Sequence, residues 1–224
     1  MRVFQHRRKR PLTPALSQGE REKPWDEVNM DPVADIIEAR QEARKRHDPH
    51  VDVCFLATVT AQGRPEVRAV SLRDIDAKGF GLLLNTTSPK WQQLTAGQCC
   101  LHMLWSTVQR QYRVYGHIEA MEPERLREYW QRKGHGSRLL EHYYEAFHAQ
   151  SQPIPSRRYL LEGIAALTQR YPTKETMPVP ETLQGVYLYP TEIDVWHGSP
   201  EDRLHDRRLF TRTDTGWSWC TLVP

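Results

Sequence analysis

The chain has 224 residues, of which 38% are hydrophobic and 26% charged, and its formal net charge at pH 7 is +3. This is an ordinary globular composition, and so small a net charge does not indicate a nucleic-acid-binding protein. No apolar stretch approaches the ~20 residues of a membrane-spanning helix, and the basic start lacks the apolar segment of a secretory signal. We therefore expect a cytoplasmic protein that binds neither nucleic acid nor membrane.

The four cysteines do not form a metal-binding pattern. Cys99 and Cys100 are adjacent, and no two cysteines have the C-x-x-C spacing of a zinc site. The sequence therefore predicts no metal site, and the cysteine usage favours a reducing, cytoplasmic setting.

The beginning of the chain differs from the rest. Residues 1–29 combine prolines and charges without sustained periodicity, which predicts a disordered extension before a single domain over residues 30–224. Asp31 and Pro32 predict the start of a helix, because Asp caps helices and Pro suits the first turn. An apolar stripe through Ile36 and Ile37 follows, and we expect the helix to end at Arg40.

Strand and helix patterns then alternate in blocks. Strands are predicted over residues 53–59, 66–73, 80–84, 99–105 and 111–121, helices over 122–133, 138–149 and 157–170, and strands again over 185–196, 209–213 and 217–223. This order predicts a mainly β, α+β fold: an antiparallel β-barrel with helices packed around it. Because no G-x-G-x-x-G or phosphate-loop pattern occurs, we do not expect classical dinucleotide or nucleoside-triphosphate binding.

Three short segments carry candidate binding residues, each with an ordinary structural alternative. Arg68 and Arg73 lie on opposite faces of one predicted strand, which equally suits an exposed strand. Ser88 is predicted to cap a helix with Lys90 nearby, and this start could hold an anion or be only a capped helix. Gln111 opens a strand, and its amide could bind the edge of a heterocycle or lie on an ordinary strand surface.

The segment R-L-H-D-R-R at residues 203–208 is a stronger indication. Arg203, His205 and Arg207 alternate, so an extended backbone would direct all three side chains to one side. Two guanidinium groups and an imidazole on one face would form an anion-binding site beside Trp196.

These motifs, in this order, resemble the pyridoxamine 5′-phosphate oxidase family over about residues 31–224. The matching elements are Leu56-Ala57-Thr58-Val59, Gly63-x-Pro65, Arg68-x-Val70-x-Leu72, Gly79-Phe80, Asn85, Ser88-x-Lys90, Arg110-Gln111, Gly116, Gln150-Ser151, Trp196-x-Gly198 and Arg203-Leu204-His205-Asp206-Arg207. The last of these is the most specific.

The resemblance implies a split β-barrel homodimer that binds FMN at the subunit interface. Such enzymes oxidise pyridoxamine or pyridoxine 5′-phosphate to pyridoxal 5′-phosphate and pass the electrons to O₂. The implied flavin contacts are Arg68, Ala69, Val70, Ser71, Leu72, Arg73, Lys90, Gln111, Gln150, Ser151, Trp196 and Arg207. The implied substrate contacts are Arg73, Tyr129, Lys133, Ser137, Arg203 and His205, of which Arg203 and His205 would be catalytic and orient the substrate over the flavin ring.

The chain departs from the family at several of these positions. Arg73 stands where the family usually has Lys, Lys133 where it has Arg, Pro89 where it has Arg, and Leu83-Leu84 where it has a Tyr-Thr pair. Two alternatives therefore accompany the vitamin B6 oxidase hypothesis. One is a related FMN-dependent oxidoreductase with another heteroaromatic substrate, and the other is a non-catalytic protein that binds flavin or pyridoxal phosphate.

Overall fold

One antiparallel sheet organises the described residues. The computed structural model describes residues 31–97 and 99–224, so the predicted disordered extension over residues 1–29 lies outside the described residues. The strands are β1 (Val53–Val59), β2 (Pro65–Ser71), β3 (Ile75–Asp76), β4 (Gly79–Asn85), β5 (Cys99–Trp105), β6 (Arg110–Ala120), β7 (Leu183–His197), β8 (Asp206–Thr213) and β9 (Gly216–Thr221). Their order in the sheet is β2-β1-β5-β6-β7-β4-β3, with β8 on β7 and β9 on β8.

Five α-helices accompany this sheet in the described part of the chain. They are α1 (Pro32–Lys45), α2 (Pro89–Thr95), α3 (Pro123–Arg132), α4 (His135–Ala146) and α5 (Arg157–Arg170). None of them is both long and apolar enough to cross a membrane. The prediction of a mainly β, antiparallel split barrel with inserted helices is confirmed.

The core lies on one face of the central strands. Alternate residues of β5, β6 and β7 are fully or almost fully buried, as period-two side-chain alternation requires: Leu101, Met103, Trp105, Tyr112, Val114, Ile193 and Val195. The Trp105 and Tyr112 rings meet edge to face across β5 and β6, with centroids 5.6 Å apart. This packing fixes which face of β6 and β7 is left to carry polar side chains.

A bulge shapes the middle of β6. The register between β6 and β7 shifts at Tyr115 and Gly116. A Cβ atom on Gly116 would collide with the carbonyl oxygen of Tyr189 on β7. Only glycine allows this close approach of two backbones, so the residue at 116 is dictated by the bulge.

Helix α1 is capped as predicted but is longer than predicted. The Asp31 carboxylate accepts a hydrogen bond from the Val33 amide at 2.9 Å. The helix continues to Lys45 and does not end at Arg40, because the Arg40 side chain turns inward and donates to the carbonyl oxygens of Leu72 (3.0 Å) and Arg73 (2.6 Å). Arg40 thereby joins α1 to the end of β2.

The inserted helices form a second apolar cluster. Its buried members are Trp130, Leu139, Tyr143, Leu167, Met177 and Leu183. Helix α4 begins at His135 and ends at Ala146, three residues earlier at each end than predicted. Leu83 of β4 packs against this cluster and against a further apolar cluster around Tyr129, so this leucine is part of the packed interior.

Candidate functional site

Three of the predicted flavin-binding residues form a row across adjacent strands. Gln111 on β6 lies directly opposite Trp196 on β7, and Trp196 lies directly opposite Arg207 on β8. Residues paired in this way project from the same face of a sheet. They lie at a cavity of about 380 Å³, here called the tryptophan cavity. Its lining residues are His102, Gln111, Arg113, Trp196, Arg207 and Pro224.

A buried carboxylate organises the cations of the tryptophan cavity. Asp194 is 5% exposed and accepts hydrogen bonds from Arg207 Nε at 3.1 Å and from an Arg207 terminal nitrogen at 2.8 Å. Arg113, from β6, forms an ion pair with the same carboxylate. Burial opposes ionisation of Asp194, but the Arg207 hydrogen bonds and the charges of Arg113 and Arg207 outweigh it and hold its pKa below the ordinary value.

The tryptophan cavity keeps one guanidinium donor unused. Arg113 and Arg207 share the single charge of Asp194. The Arg113 Nε is buried and has no hydrogen-bond partner among the described residues. An unused guanidinium donor beside an aromatic ring and a glutamine amide fits an anionic heterocyclic ligand, and so the residues present fit FMN.

The expected alternation of Arg203, His205 and Arg207 is wrong. Strand β8 begins only at Asp206, and Arg203 has a φ of +62°, the left-handed conformation that a strand excludes. Arg203 is exposed in the loop before β8. The sequence pattern suggested a regular strand, but a turn that starts at Ser199 precedes it, with the Arg203 amide donating to the Ser199 carbonyl at 3.0 Å.

His205 nevertheless lies at the same tryptophan. Its ring centroid is 4.6 Å from that of Trp196. The backbone amide of Ser199 donates to His205 Nδ1 at 3.0 Å. Because an amide can only donate, Nδ1 accepts, and the remaining ring hydrogen of a neutral imidazole is on Nε2. This geometry leaves Nε2 of His205 as a hydrogen-bond donor.

A second group of polar residues, here called the lysine cluster, consists of Arg68, Asn85, Lys90, Lys133, Glu141 and Gln150. Lys90 Nζ donates to Ser88 Oγ at 2.6 Å and to Gln150 Oε1 at 2.8 Å. Burial, and then the nearby charge of Arg68, lower the pKa of Lys90 to about 8. A lysine under these conditions favours a ligand that brings negative charge.

Ser88 differs from its predicted role. It precedes α2 as its N-cap residue, but its side chain makes no capping hydrogen bond and instead accepts from Lys90. Helix α2 has only seven residues, so the positive charge at this position comes from Lys90 and not from the helix.

Arg68 lies on the less exposed face of β2. It donates to the Leu56 carbonyl at 3.1 Å and to Thr58 Oγ1 at 2.5 Å, and it pairs with Glu66. Val70 and Leu72 lie on the same face, with Leu72 2% exposed, whereas Ala69 and Ser71 are exposed on the opposite face. The predicted division into two faces is confirmed within β2, but the strand ends at Ser71 and not at Arg73, so Leu72 and Arg73 lie beyond it.

Two predicted substrate residues lie next to Asp74: Arg73 precedes it in the chain, and Tyr129 donates a hydrogen bond to it. The backbone of Arg73 is fixed by the Arg40 side chain and by Gly81, and its Nε is buried without a partner among the described residues. The next residue, Asp74, accepts a hydrogen bond from the hydroxyl of Tyr129, which is 5% exposed. The sequence alone gave no indication of Asp74.

Lys133 lies at the end of α3 and is already paired. It forms an ion pair with Glu141 of α4, and both side chains are 14% exposed. Glu141 also accepts from the Asn85 side-chain amide at 3.2 Å. Ser137 follows Lys133 in the sequence and is exposed near the start of α4.

The remaining predicted flavin residues lie in the loop after α4. The backbone amide of Gln150 donates to Thr87 Oγ1 at 3.0 Å, which positions its side chain beside Lys90. Ser151 is exposed and has a φ of +71°.

Sequence reasoning missed Arg113, Asp194 and Glu141. A signal existed for the first two: Arg113 is two residues from Gln111, and Asp194 two from Trp196, so each shares a strand face with a predicted residue. No comparable signal existed for Glu141, because its partner Lys133 belongs to a different helix.

Among the described residues, no hydrogen bond or ion pair joins the tryptophan cavity to the lysine cluster. Within one chain, therefore, no direct contact among the described residues joins the group that contains Gln111 to the group that contains Lys90. The chain presents two separate groups of cationic and amide side chains.

Family models account for most of the chain. Residues 40–169 match the model described as "Pyridoxamine 5'-phosphate oxidase", and residues 184–224 match the model described as "Pyridoxine 5'-phosphate oxidase C-terminal dimerisation region". The curated pyridoxine/pyridoxamine 5′-phosphate oxidase of Psychromonas ingrahamii is 35% identical over 75% of this chain and 76% of its own. That of Myxococcus xanthus strain DK1622 is 32% identical over 88% of this chain and 93% of its own.

Solved structures support the fold. PhzG from Burkholderia lata 383, crystallised with tetrahydrophenazine-1-carboxylic acid, superposes with a TM-score of 0.78 at 23% identity, covering 89% of this chain and 95% of its own. A pyridoxamine 5′-phosphate oxidase-related, FMN-binding protein from Nostoc punctiforme gives 0.67 at 18% identity, covering 88% of this chain and 100% of its own. The chain therefore belongs to the pyridoxamine 5′-phosphate oxidase family, as an enzyme whose cofactor is FMN.

Proposed function

We propose that the protein is an FMN-dependent oxidase that converts pyridoxamine or pyridoxine 5′-phosphate to pyridoxal 5′-phosphate, with O₂ as the electron acceptor, in the cytoplasm. The observation that carries the proposal is the row Gln111–Trp196–Arg207 with the unused Arg113 donor beside it. Such a row offers an amide, an aromatic ring and fixed cations to an anionic heterocycle.

The two clusters suit two phosphorylated ligands. A phosphate ester carries a charge of about −1.5 to −2 at neutral pH, so a flavin phosphate and a substrate phosphate together need several cations. FMN would be held by Arg68, the backbone from Ala69 to Arg73, Lys90, Gln111, Gln150, Ser151, Trp196 and Arg207. When bound, FMN supplies the two-electron acceptor for the oxidation.

The substrate would be held from both sides of its ring. Arg73, Tyr129, Lys133 and Ser137 would bind one end, with Tyr129 already fixed by Asp74. His205 would donate from Nε2 to a ring substituent, because its Nδ1 is occupied by the Ser199 amide. Arg203, exposed in its loop, would close over the substrate.

A homodimer would unite the two clusters. The C-terminal segment that carries Trp196 and Arg207 belongs to the matched dimerisation region. In one chain, no direct contact joins this segment to the lysine cluster. A second copy would therefore place its tryptophan cavity against the lysine cluster of the first.

An anaerobic titration tests the proposal. The FMN-loaded protein is mixed with pyridoxine or pyridoxamine 5′-phosphate without O₂, and flavin absorbance is followed. Bleaching by either compound, recovery of colour on admission of air and formation of pyridoxal 5′-phosphate are expected. Persistent yellow colour with both compounds would contradict the proposed substrate, although not the flavin site.

The Lys133–Glu141 ion pair favours a second candidate. If Lys133 is neutralised, the substrate of this FMN-dependent oxidoreductase could be a heteroaromatic compound that lacks a phosphate. In that case the titration above would leave the flavin oxidised, whereas a screen of unphosphorylated heteroaromatic compounds would bleach it.

A further inference from the structure

Glu141 is an acidic residue within a group of side chains that otherwise suits anions. Its carboxylate pairs with Lys133 and accepts from the Asn85 amide at 3.2 Å. The negative charge of Glu141 also raises the pKa of Lys90, but burial and the charge of Arg68 lower that pKa by more. Glu141 thus places a negative charge near both lysines of the lysine cluster.

The position of Glu141 is fixed from several directions. Asn85 is held by Thr87, whose backbone amide and hydroxyl both donate to Asn85 Oδ1, at 3.0 and 2.6 Å. The Asn85 side-chain amide is thereby directed at Glu141 and at Thr182, each at 3.2 Å. Both side chains of this ion pair are 14% exposed, so little water surrounds it.

A phosphate at Lys133 must compete with this carboxylate. It would have to displace Glu141 from the lysine, because an ammonium group already paired with a carboxylate attracts a second anion less strongly. A neutral hydroxymethyl group needs no free ammonium charge and can hydrogen-bond to Glu141 or Lys133.

We propose that Glu141 is a specificity-determining residue that acts through Lys133 and lowers the preference of the substrate site for a phosphate over a neutral group. This inference rests on the proposed function in assigning Lys133 to the substrate site. It departs from that function in predicting weak selection for the phosphate of a vitamin B6 compound.

Binding of a matched ligand pair tests the inference without turnover. The ligands are 4-deoxypyridoxine 5′-phosphate and 4-deoxypyridoxine, which differ only in the phosphate and lack the alcohol or amine that is oxidised. Their affinities for the FMN-loaded protein are measured by calorimetry. Glu141→Gln should raise the ratio of phosphate-form to phosphate-free affinity at least about tenfold, the effect of one charged interaction.

Two further variants separate charge at this position from general effects. Glu162→Gln removes an exposed carboxylate of α5 that pairs with Arg158, and it should leave the ratio unchanged. Lys133→Arg should raise the ratio, because a guanidinium can hold Glu141 and still present donors to a phosphate. Because Lys133→Arg keeps the positive charge at position 133, it tests the inference even if Glu141→Gln fails to fold.

A double-mutant cycle tests whether Glu141 acts through Lys133. In a Lys133→Met background, Glu141→Gln should change the affinity ratio less than about threefold, against about tenfold in the parent chain. An unchanged ratio in both Glu141→Gln and Lys133→Arg overturns the inference, as does an equal gain with and without Lys133. Because the experiment measures binding and not turnover, its result can be interpreted even if the oxidase assay fails.

Discussion

Arg207 donates two hydrogen bonds, at 3.1 and 2.8 Å, to Asp194 on the neighbouring strand. We predict that Asp194→Asn lowers the free energy of unfolding by about 1.5–3 kcal/mol, the usual value of a hydrogen bond to a charged group. The change leaves Arg113 and Arg207 without their shared carboxylate. Urea unfolding near neutral pH measures the loss, with the exposed Asp214→Asn as the matched control.

The same variant carries a pH signature. The pKa of Asp194 is lowered in the folded protein, so its ionised form stabilises the fold above the ordinary carboxyl pKa. That contribution disappears as the pH falls below about 4 and through the lowered pKa. The gap in stability between the parent chain and Asp194→Asn should therefore close in acid. A gap that stays constant would mean that Asp194 acts through shape and not charge.

Arg203 and Arg207 should have different roles despite their proximity in the sequence. Arg207 lines the tryptophan cavity, whereas Arg203 is exposed in a loop. We predict that Arg207→Ala loses FMN on dialysis, while Arg203→Ala retains it and lowers kcat/KM. Flavin absorbance per protein measures the first effect and steady-state kinetics the second. Equal flavin retention by the two variants would contradict this division.

Gly116 should tolerate no side chain. A Cβ there would meet the carbonyl oxygen of Tyr189, so Gly116→Ala must displace one of the two long central strands. We predict a loss of about 1–3 kcal/mol in unfolding free energy, the range for overpacking. Gly136→Ala is the control, because open space surrounds that position in α4 and alanine favours a helix. Thermal unfolding of both variants distinguishes a steric effect from a general one.

Much of the fold could be predicted because local patterns agreed with the tertiary structure. The strands over residues 53–59 and 99–105 and the helix over 157–170 have the predicted bounds. The error at α1 has a clear physical reason: Arg40 looked like the end of an apolar stripe, but its buried guanidinium satisfies carbonyl groups of the β2 end. Periodicity does not show that a charged side chain has buried partners.

The site was less predictable because it depends on strand register and loop conformation. Gln111, Trp196 and Arg207 were expected near one another, but their alignment in one row follows from the pairing of β7 with the distant strand β6 and with β8. The regular spacing of Arg203 and Arg207 suggested one strand, yet a left-handed residue interrupts it. Glu141 was not predicted because only the folded structure brings its carboxylate to Lys133.

Lys90 should make phosphate binding depend on pH. Burial and the charge of Arg68 lower its pKa to about 8, so the free protein begins to lose this cation near that pH. A bound phosphate favours the charged form and raises the pKa again, so binding takes up a proton above about pH 8. We predict that the affinity for FMN falls as the pH rises through about 8. Fluorescence titration of the apoprotein with FMN at several pH values measures it.

Two variants show whether Lys90 is the titrating group. Lys90→Arg keeps the charge, and because a guanidinium does not titrate below about pH 12, its FMN affinity should stay constant through pH 8. Lys90→Met should bind FMN more weakly, also without the pH dependence. A fall in affinity that persists unchanged in Lys90→Arg would assign the titration to another group. The charged lysine would then be no more than a permanent partner of Gln150 and Ser88.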